Sequence, residues 1–186
     1  MLLLIAGLIL FLIPHLLKEM GVRQYVIDCF PSTGAYKGVF SLTVLAGLVL
    51  IVWGKSSSPF IMLWQPIFEL HFISHILMIP ASILLVAGNL PMSYTRKYLR
   101  NPMLLSVTFW GFSHLWSNGD MASALLFGGF SLWAGSKFIF SGLKPSSSDE
   151  SASLLWDLIA LLAGSALYVL ISFYHGQLFG VGLNFV

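Results

Sequence analysis

The sequence predicts an all-α fold: a polytopic transmembrane bundle of about six helices. Three observations carry that prediction. Hydrophobic residues make up 58% of the chain and charged residues only 9%, against about a quarter charged in a typical soluble domain. The mean hydropathy is +0.90, so the chain lacks the polar side chains needed to cover a water-facing surface. The apolar residues also fall into six separate runs, each near the roughly 20 residues that a helix needs to cross about 30 Å of hydrocarbon.

The runs span Leu2–Gly21, Val39–Trp53, Phe68–Leu90, Met103–Ser117, Met121–Phe140 and Leu154–His175. A spanning segment must satisfy its backbone hydrogen bonds internally, which selects helices. None of the runs shows the period-two alternation of a barrel strand. The first lacks the basic n-region and small-residue cleavage site of a signal peptide and reads as an uncleaved first helix. The second and fourth are short and call for extension into their flanks or for local thinning of the bilayer. Pro14 and Pro80 fall inside runs and predict kinks. Gly111, Gly128, Gly129 and Gly164 are positions at which helix backbones can approach closely. At 186 residues the chain has room for one bundle, a single domain over 1–186.

All but one of the nine Lys and Arg residues fall in or beside the odd-numbered connections. Lys18, Arg23 and Lys37 follow the first run, Arg96, Lys97 and Arg100 the third, and Lys137 and Lys144 the fifth. Lys55 alone lies on the other side. The positive-inside rule then places the odd connections in the cytoplasm and both termini in the periplasm of a cell inner membrane. The stretch Lys144–Ser153 reads as a flexible polar linker. Basic residues this few and dispersed exclude nucleic acid as a partner; the expected partner is the lipid bilayer, with other membrane redox or assembly proteins as further candidates.

All five histidines, His15, His71, His75, His114 and His175, lie within or at the ends of apolar runs, where polar groups are costly and often functional. Imidazole in an apolar bundle suits a metal or haem iron. Cys29 is the single cysteine, and no HExxH or Cys/His spacing supports a protein-only zinc site. His71 and His75 share a helix face at a spacing of four and form one candidate metal pair. Depth favours another. If the first helix runs on towards Arg23, His15 lies about 12 Å above the cytoplasmic boundary, and His114, counted from Pro102, about 18 Å above it. One haem between helices bridges such a difference. By the same count His71 and His175 belong to the outer end.

Asn101 and Pro102 read as the N-cap and first residue of the fourth helix. Asp120 reads as the N-cap of the fifth, its carboxylate meeting the positive helix end. Glu69 and Asp157, near helix starts, read the same way.

These residues also carry a resemblance. Arg100-Asn101-Pro102-Met103-Leu104, then His114-Leu115-Trp116-Ser117-Asn118-Gly119-Asp120 and Ala122-Ser123-Ala124-Leu125-Leu126-Phe127-Gly128, resemble the NnrU family. So do His15 before Arg23, Tyr36-Lys37-Gly38-Val39-Phe40-Ser41-Leu42, and the closing His175-Gly176-Gln177-Leu178-Phe179-Gly180-Val181. The resemblance implies an integral membrane protein linked to nitrite and nitric oxide metabolism in denitrifiers. The family is similar in turn to plant and cyanobacterial 15-cis-zeta-carotene isomerase, a membrane haem b enzyme with histidine axial ligands. Its ligand-bearing motifs match His15 and His114, which implies haem b on those residues. One departure stands out: the family reads Arg-His-Pro where this chain has Arg100-Asn101-Pro102, and Asn can cap the helix but cannot ligate haem iron. Two other functions fit the sequence, a carotene-isomerase-like enzyme acting on a polyene and a non-catalytic assembly or interaction subunit, and whether the chain is an enzyme is left open.

Overall fold

The computed structural model describes residues 1–142, 151–181 and 183; Lys144 and most of the expected polar linker lie outside them. Helices dominate the described residues: α1 Leu2–Leu16, α2 Arg23–Asp28, α3 Thr33–Ser56, α4 Phe72–Asn89, α5 Tyr94–Tyr98, α6 Pro102–Ser117, α7 Met121–Phe140 and α8 Leu154–Phe179. A short 3₁₀ turn, Phe68–Leu70, leads into α4, and π-type turns occur at Ala124–Gly128 and Phe138–Gly142.

Each of the six predicted runs is helical, with boundaries that differ for local reasons. Four helices are long and apolar enough to cross a membrane: Thr33–Ser56, Phe68–Asn89, Met121–Phe140 and Leu154–Phe179. The second run was expected to begin at Val39, but α3 starts at Thr33 because the Ser32 side chain accepts from the Ala35 amide. Ser32 is thus a helix cap, and Lys37 lies inside the helix. In contrast, α1 does not run on towards Arg23. It stops at Leu16 after 15 residues, and the chain turns through Gly21, whose φ of 72° is left-handed and open to Gly without a Cβ clash. The last helix runs four residues beyond His175, to Phe179, before Gly180 (φ 74°) ends it.

The chain forms two compact units. The first holds residues 1–65 and 118–129, the second 66–117 and 130–186. In the first unit, α1 packs on α3 by direct backbone approach. A Cβ on Gly7 would sit 2.6 Å from the Ile51 nitrogen, one on Gly47 2.8 Å from the Phe11 nitrogen, and one on Gly54 2.3 Å from the Leu4 nitrogen. Without a hydrophobic drive between helices in lipid, such close van der Waals contact is what holds them together. In the second unit Gly164 plays the same part on α8, where a Cβ would lie 2.4 Å from Ile83 Cα. Of the glycines singled out from the sequence, Gly128 faces open space and Gly129 makes only ordinary contact.

Serines join α4 to α6. Ser74 Oγ donates to the Ser113 carbonyl (2.9 Å), Ser113 Oγ returns a bond to the Ser74 carbonyl (3.0 Å), and Ser106 Oγ donates to the Ala81 carbonyl (2.6 Å). Leu104, Ala134 and Phe138 form a small core beside them. Outward faces are apolar: Leu42, Val52, Leu162 and Phe173 are each more than 60% exposed, the inverse of a water-soluble surface.

Asn101 and Asp120 cap where expected. Asn101 Oδ1 accepts from the Leu104 amide, and α6 begins at Pro102. Asp157 is an exception. Ser153 caps α8, while the Asp157 carboxylate accepts from the Tyr94 and Thr95 amides at the start of α5 (2.9 and 3.0 Å). The apolar packing of α8 on α4 and α5 brings that helix start within reach. Glu69 sits in the exposed 3₁₀ turn and makes no cap bond there.

Asp120 caps α7 through the Ser123 amide (3.0 Å) and pairs with Lys55 (3.0 Å), which also donates to Ser123 Oγ (2.8 Å). The same corner is stitched by Leu63 N–H to the Gly119 carbonyl and Met121 N–H to the Ile61 carbonyl. Burial alone pushes the Asp120 carboxyl up, but the Ser123 hydroxyl and amide, with the Lys55 ammonium, outweigh it and hold the group below the usual carboxylate range. A carboxyl lowered on folding contributes stability that is present above its unfolded value, near 3.9, and is lost as pH falls through the folded one. Thermal unfolding in detergent is therefore expected at lower temperature as pH drops below about 4. Asp120→Ala is expected to cost about 1–2 kcal/mol at neutral pH and to flatten that acid limb; an unchanged acid limb in the variant would assign it to other groups.

Candidate functional site

Within a helix an imidazole can turn its Nδ1 back onto the carbonyl one turn earlier, and three of these histidines meet a carbonyl in this way or by a return of the chain. His15, in the last turn of α1, has Nδ1 2.7 Å from the Phe11 carbonyl. His114, on α6, has Nδ1 2.8 Å from the Trp110 carbonyl. His175, on α8, has Nδ1 2.6 Å from the Val181 carbonyl. A carbonyl only accepts, so Nδ1 is the donor in each case. Metal-binding histidines are oriented by this same device, the outer nitrogen donating to a carbonyl while the other faces the metal.

The surroundings of these rings are aromatic. The Phe11 ring lies 5.0 Å from that of His15, and Phe40 5.2 Å away edge-on. Trp110 lies 5.2 Å from the His114 ring, and Phe179 4.9 Å from that of His175.

Of the two residues singled out for a cofactor, His15 lies in the first unit and His114 in the second. The remaining histidines are also in the second unit. His75 Nδ1 is 2.8 Å from the Tyr168 hydroxyl. His71 precedes α4 with its Nε2 buried and making no hydrogen bond among the described residues. Among the described residues no group of three or more His, Cys, Asp or Glu side chains is placed to hold a metal ion.

The pair that residue counting missed is His114 with His175. Their ring centroids are 6.4 Å apart with 29° between planes. Counting from Pro102 and Leu154 assumed that both helices start in one plane and so sent His175 to the outer end. In the structure α8 starts beside Met92, where the Ser153 amide meets the Met92 carbonyl, ten residues ahead of Pro102 in the chain. The signal lay in the closing motif: Gly180 permits the left-handed turn that brings the Val181 carbonyl back over His175.

Several helices able to span a bilayer and apolar faces turned outward define a multi-pass helical membrane protein. The NnrU protein family model matches residues 3–183, and the chain belongs to that family. No curated protein and no solved structure matches it.

Proposed function

We propose that this NnrU-family protein binds haem b through its histidines, His15 and His114 being the candidate ligands, and serves nitrite and nitric oxide metabolism at the cell inner membrane. The observation that carries the cofactor reading is the orientation of both imidazoles by a backbone carbonyl at Nδ1, the arrangement that metal-binding histidines use. The donor set fits haem iron, which takes neutral imidazole ligands in an apolar setting. Haem would supply a one-electron iron centre able to bind small oxides of nitrogen; the chain's part would be to orient the imidazoles and exclude water. The metabolic role rests on what the family resemblance implies, and other membrane redox or assembly proteins are its proposed partners. No feature of the site favours the polyene-isomerase or pure assembly readings over this one.

Protein purified in detergent from haem-supplemented cells is expected to show a haem b pyridine haemochrome near one per chain, reduced by His114→Ala. A deletion strain is expected to grow poorly on nitrite at low oxygen, with rescue by the wild type and not by His114→Ala. Colourless wild-type protein would sink the cofactor reading.

The positive-inside pattern supports termini in the periplasm and the first connection in the cytoplasm. Cys29, exposed at the end of α2 in that connection, reports it directly. A membrane-impermeant maleimide is expected to leave Cys29 unlabelled in intact spheroplasts and to label it after permeabilisation. Labelling before permeabilisation would reverse the orientation.

A further inference from the structure

We propose that α5 and the turn after it form a binding site for the headgroup of an anionic phospholipid. α5 joins the end of α4 to the start of α6, and the bond from the Ser153 amide to the Met92 carbonyl brings the start of α8 beside it. Three helix ends thus gather at one end of the second unit, and α5 sits among them. Its inward side is anchored by Leu99, which packs against the core of Leu104, Ala134 and Phe138. Its outward side carries Tyr94, Lys97 and Tyr98, all exposed. Their spacings of three and four make them neighbours on the helix surface. Arg100 follows, also exposed.

The charge here is of one sign. Arg96, Lys97 and Arg100 lie close together in the chain, and the second unit has only two carboxylates among its described residues, Glu69 and Asp157. Glu69 precedes the start of α4, so the length of that helix, roughly 27 Å, separates it from these bases. Asp157 is adjacent, but its two oxygens accept from the Tyr94 and Thr95 amides. Ser93 Oγ accepts from the Arg96 amide (3.2 Å), so the donors at the start of α5 are occupied and the side chains are what a ligand meets. Arg96 Nη1 donates to the Leu90 carbonyl, which fixes its guanidinium against the end of α4.

Bases without carboxylates, beside exposed phenols at the end of apolar helices, match one ligand class. A phospholipid phosphate offers acceptor oxygens to a guanidinium fork and an ammonium, and tyrosine rings settle at the headgroup level of a bilayer. The exposed Leu154 and Leu155 side chains at the start of α8 receive the acyl chains, which a soluble phosphate lacks. The site is independent of the haem reading and of which way the termini face.

The test titrates detergent-purified protein with dioleoyl phosphatidylglycerol and counts bound lipid by native mass spectrometry, beside phosphatidylcholine of the same chains and free glycerol phosphate. Phosphatidylglycerol is expected to bind at least about tenfold tighter than either. Lys97→Ala and Arg100→Ala are each expected to weaken it about fivefold, and Lys97→Arg, which keeps the charge, to retain it. Lys18→Ala and Lys37→Ala remove the same charge from the first unit and are expected to change nothing. All four side chains are exposed, so unaltered thermal unfolding of the variants separates lost binding from lost fold. No preference for phosphatidylglycerol over phosphatidylcholine, an equal loss in Lys18→Ala, or glycerol phosphate binding as tightly as the lipid overturns the proposal. So does tighter lipid binding, by about tenfold or more, in an Asp149→Asn, Glu150→Gln double variant, since the bases would then belong to the chain's own acidic stretch.

Discussion

A helix in hydrocarbon has no water to satisfy its polar groups, so each polar atom must find its partner inside the protein. Much of the polar chemistry in this structure follows from that constraint. Ser74 and Ser113 exchange hydroxyl-to-carbonyl bonds across the α4–α6 seam, and Ser106 reaches the Ala81 carbonyl. Lys55, the one base expected on the outer side, is met by the Asp120 carboxylate that also caps α7. Packing obeys the same solvent. Where water supplies no drive for helix association, Gly7, Gly47, Gly54 and Gly164 let backbones touch, and dispersion contact does the work that burial would do in a soluble core.

The histidines are the instructive case. Placed in lipid without partners, five imidazoles would be a heavy penalty; a backbone carbonyl beside Nδ1 removes half of it for His15, His114 and His175. The same bond that satisfies one nitrogen also orients the ring, so under the proposed haem reading one hydrogen bond would serve both the structural and the ligand requirement.

How much of this was legible in the sequence depends on the range of the interaction involved. Helix class, the six runs, the caps at Asn101 and Asp120 and the family were readable because composition and cap chemistry act within a few residues. The start of α3 was placed at Val39 because apolarity begins there, while the Ser32 cap starts the helix six residues earlier. The end of α1 was overrun because apolarity continues past Leu16 while the backbone turns at Gly21. Asp157 was assigned to its own helix, whereas tertiary packing gives it the start of α5. His175 was sent to the outer end because depth counted along each helix carries no information about where neighbouring helices begin. Gly7, Gly47 and Gly54 were passed over since their importance is a matter of what lies opposite, here Ile51, Phe11 and Leu4.

The account turns on the protonation of three rings, and ¹⁵N NMR of histidine-labelled, metal-free and haem-free protein in detergent near neutral pH reads it directly, with His→Gln variants assigning the signals. The account predicts that His15, His114 and His175 each carry a proton on Nδ1. Rings protonated on Nε2 alone would contradict it, since a bare Nδ1 cannot donate to the carbonyl beside it.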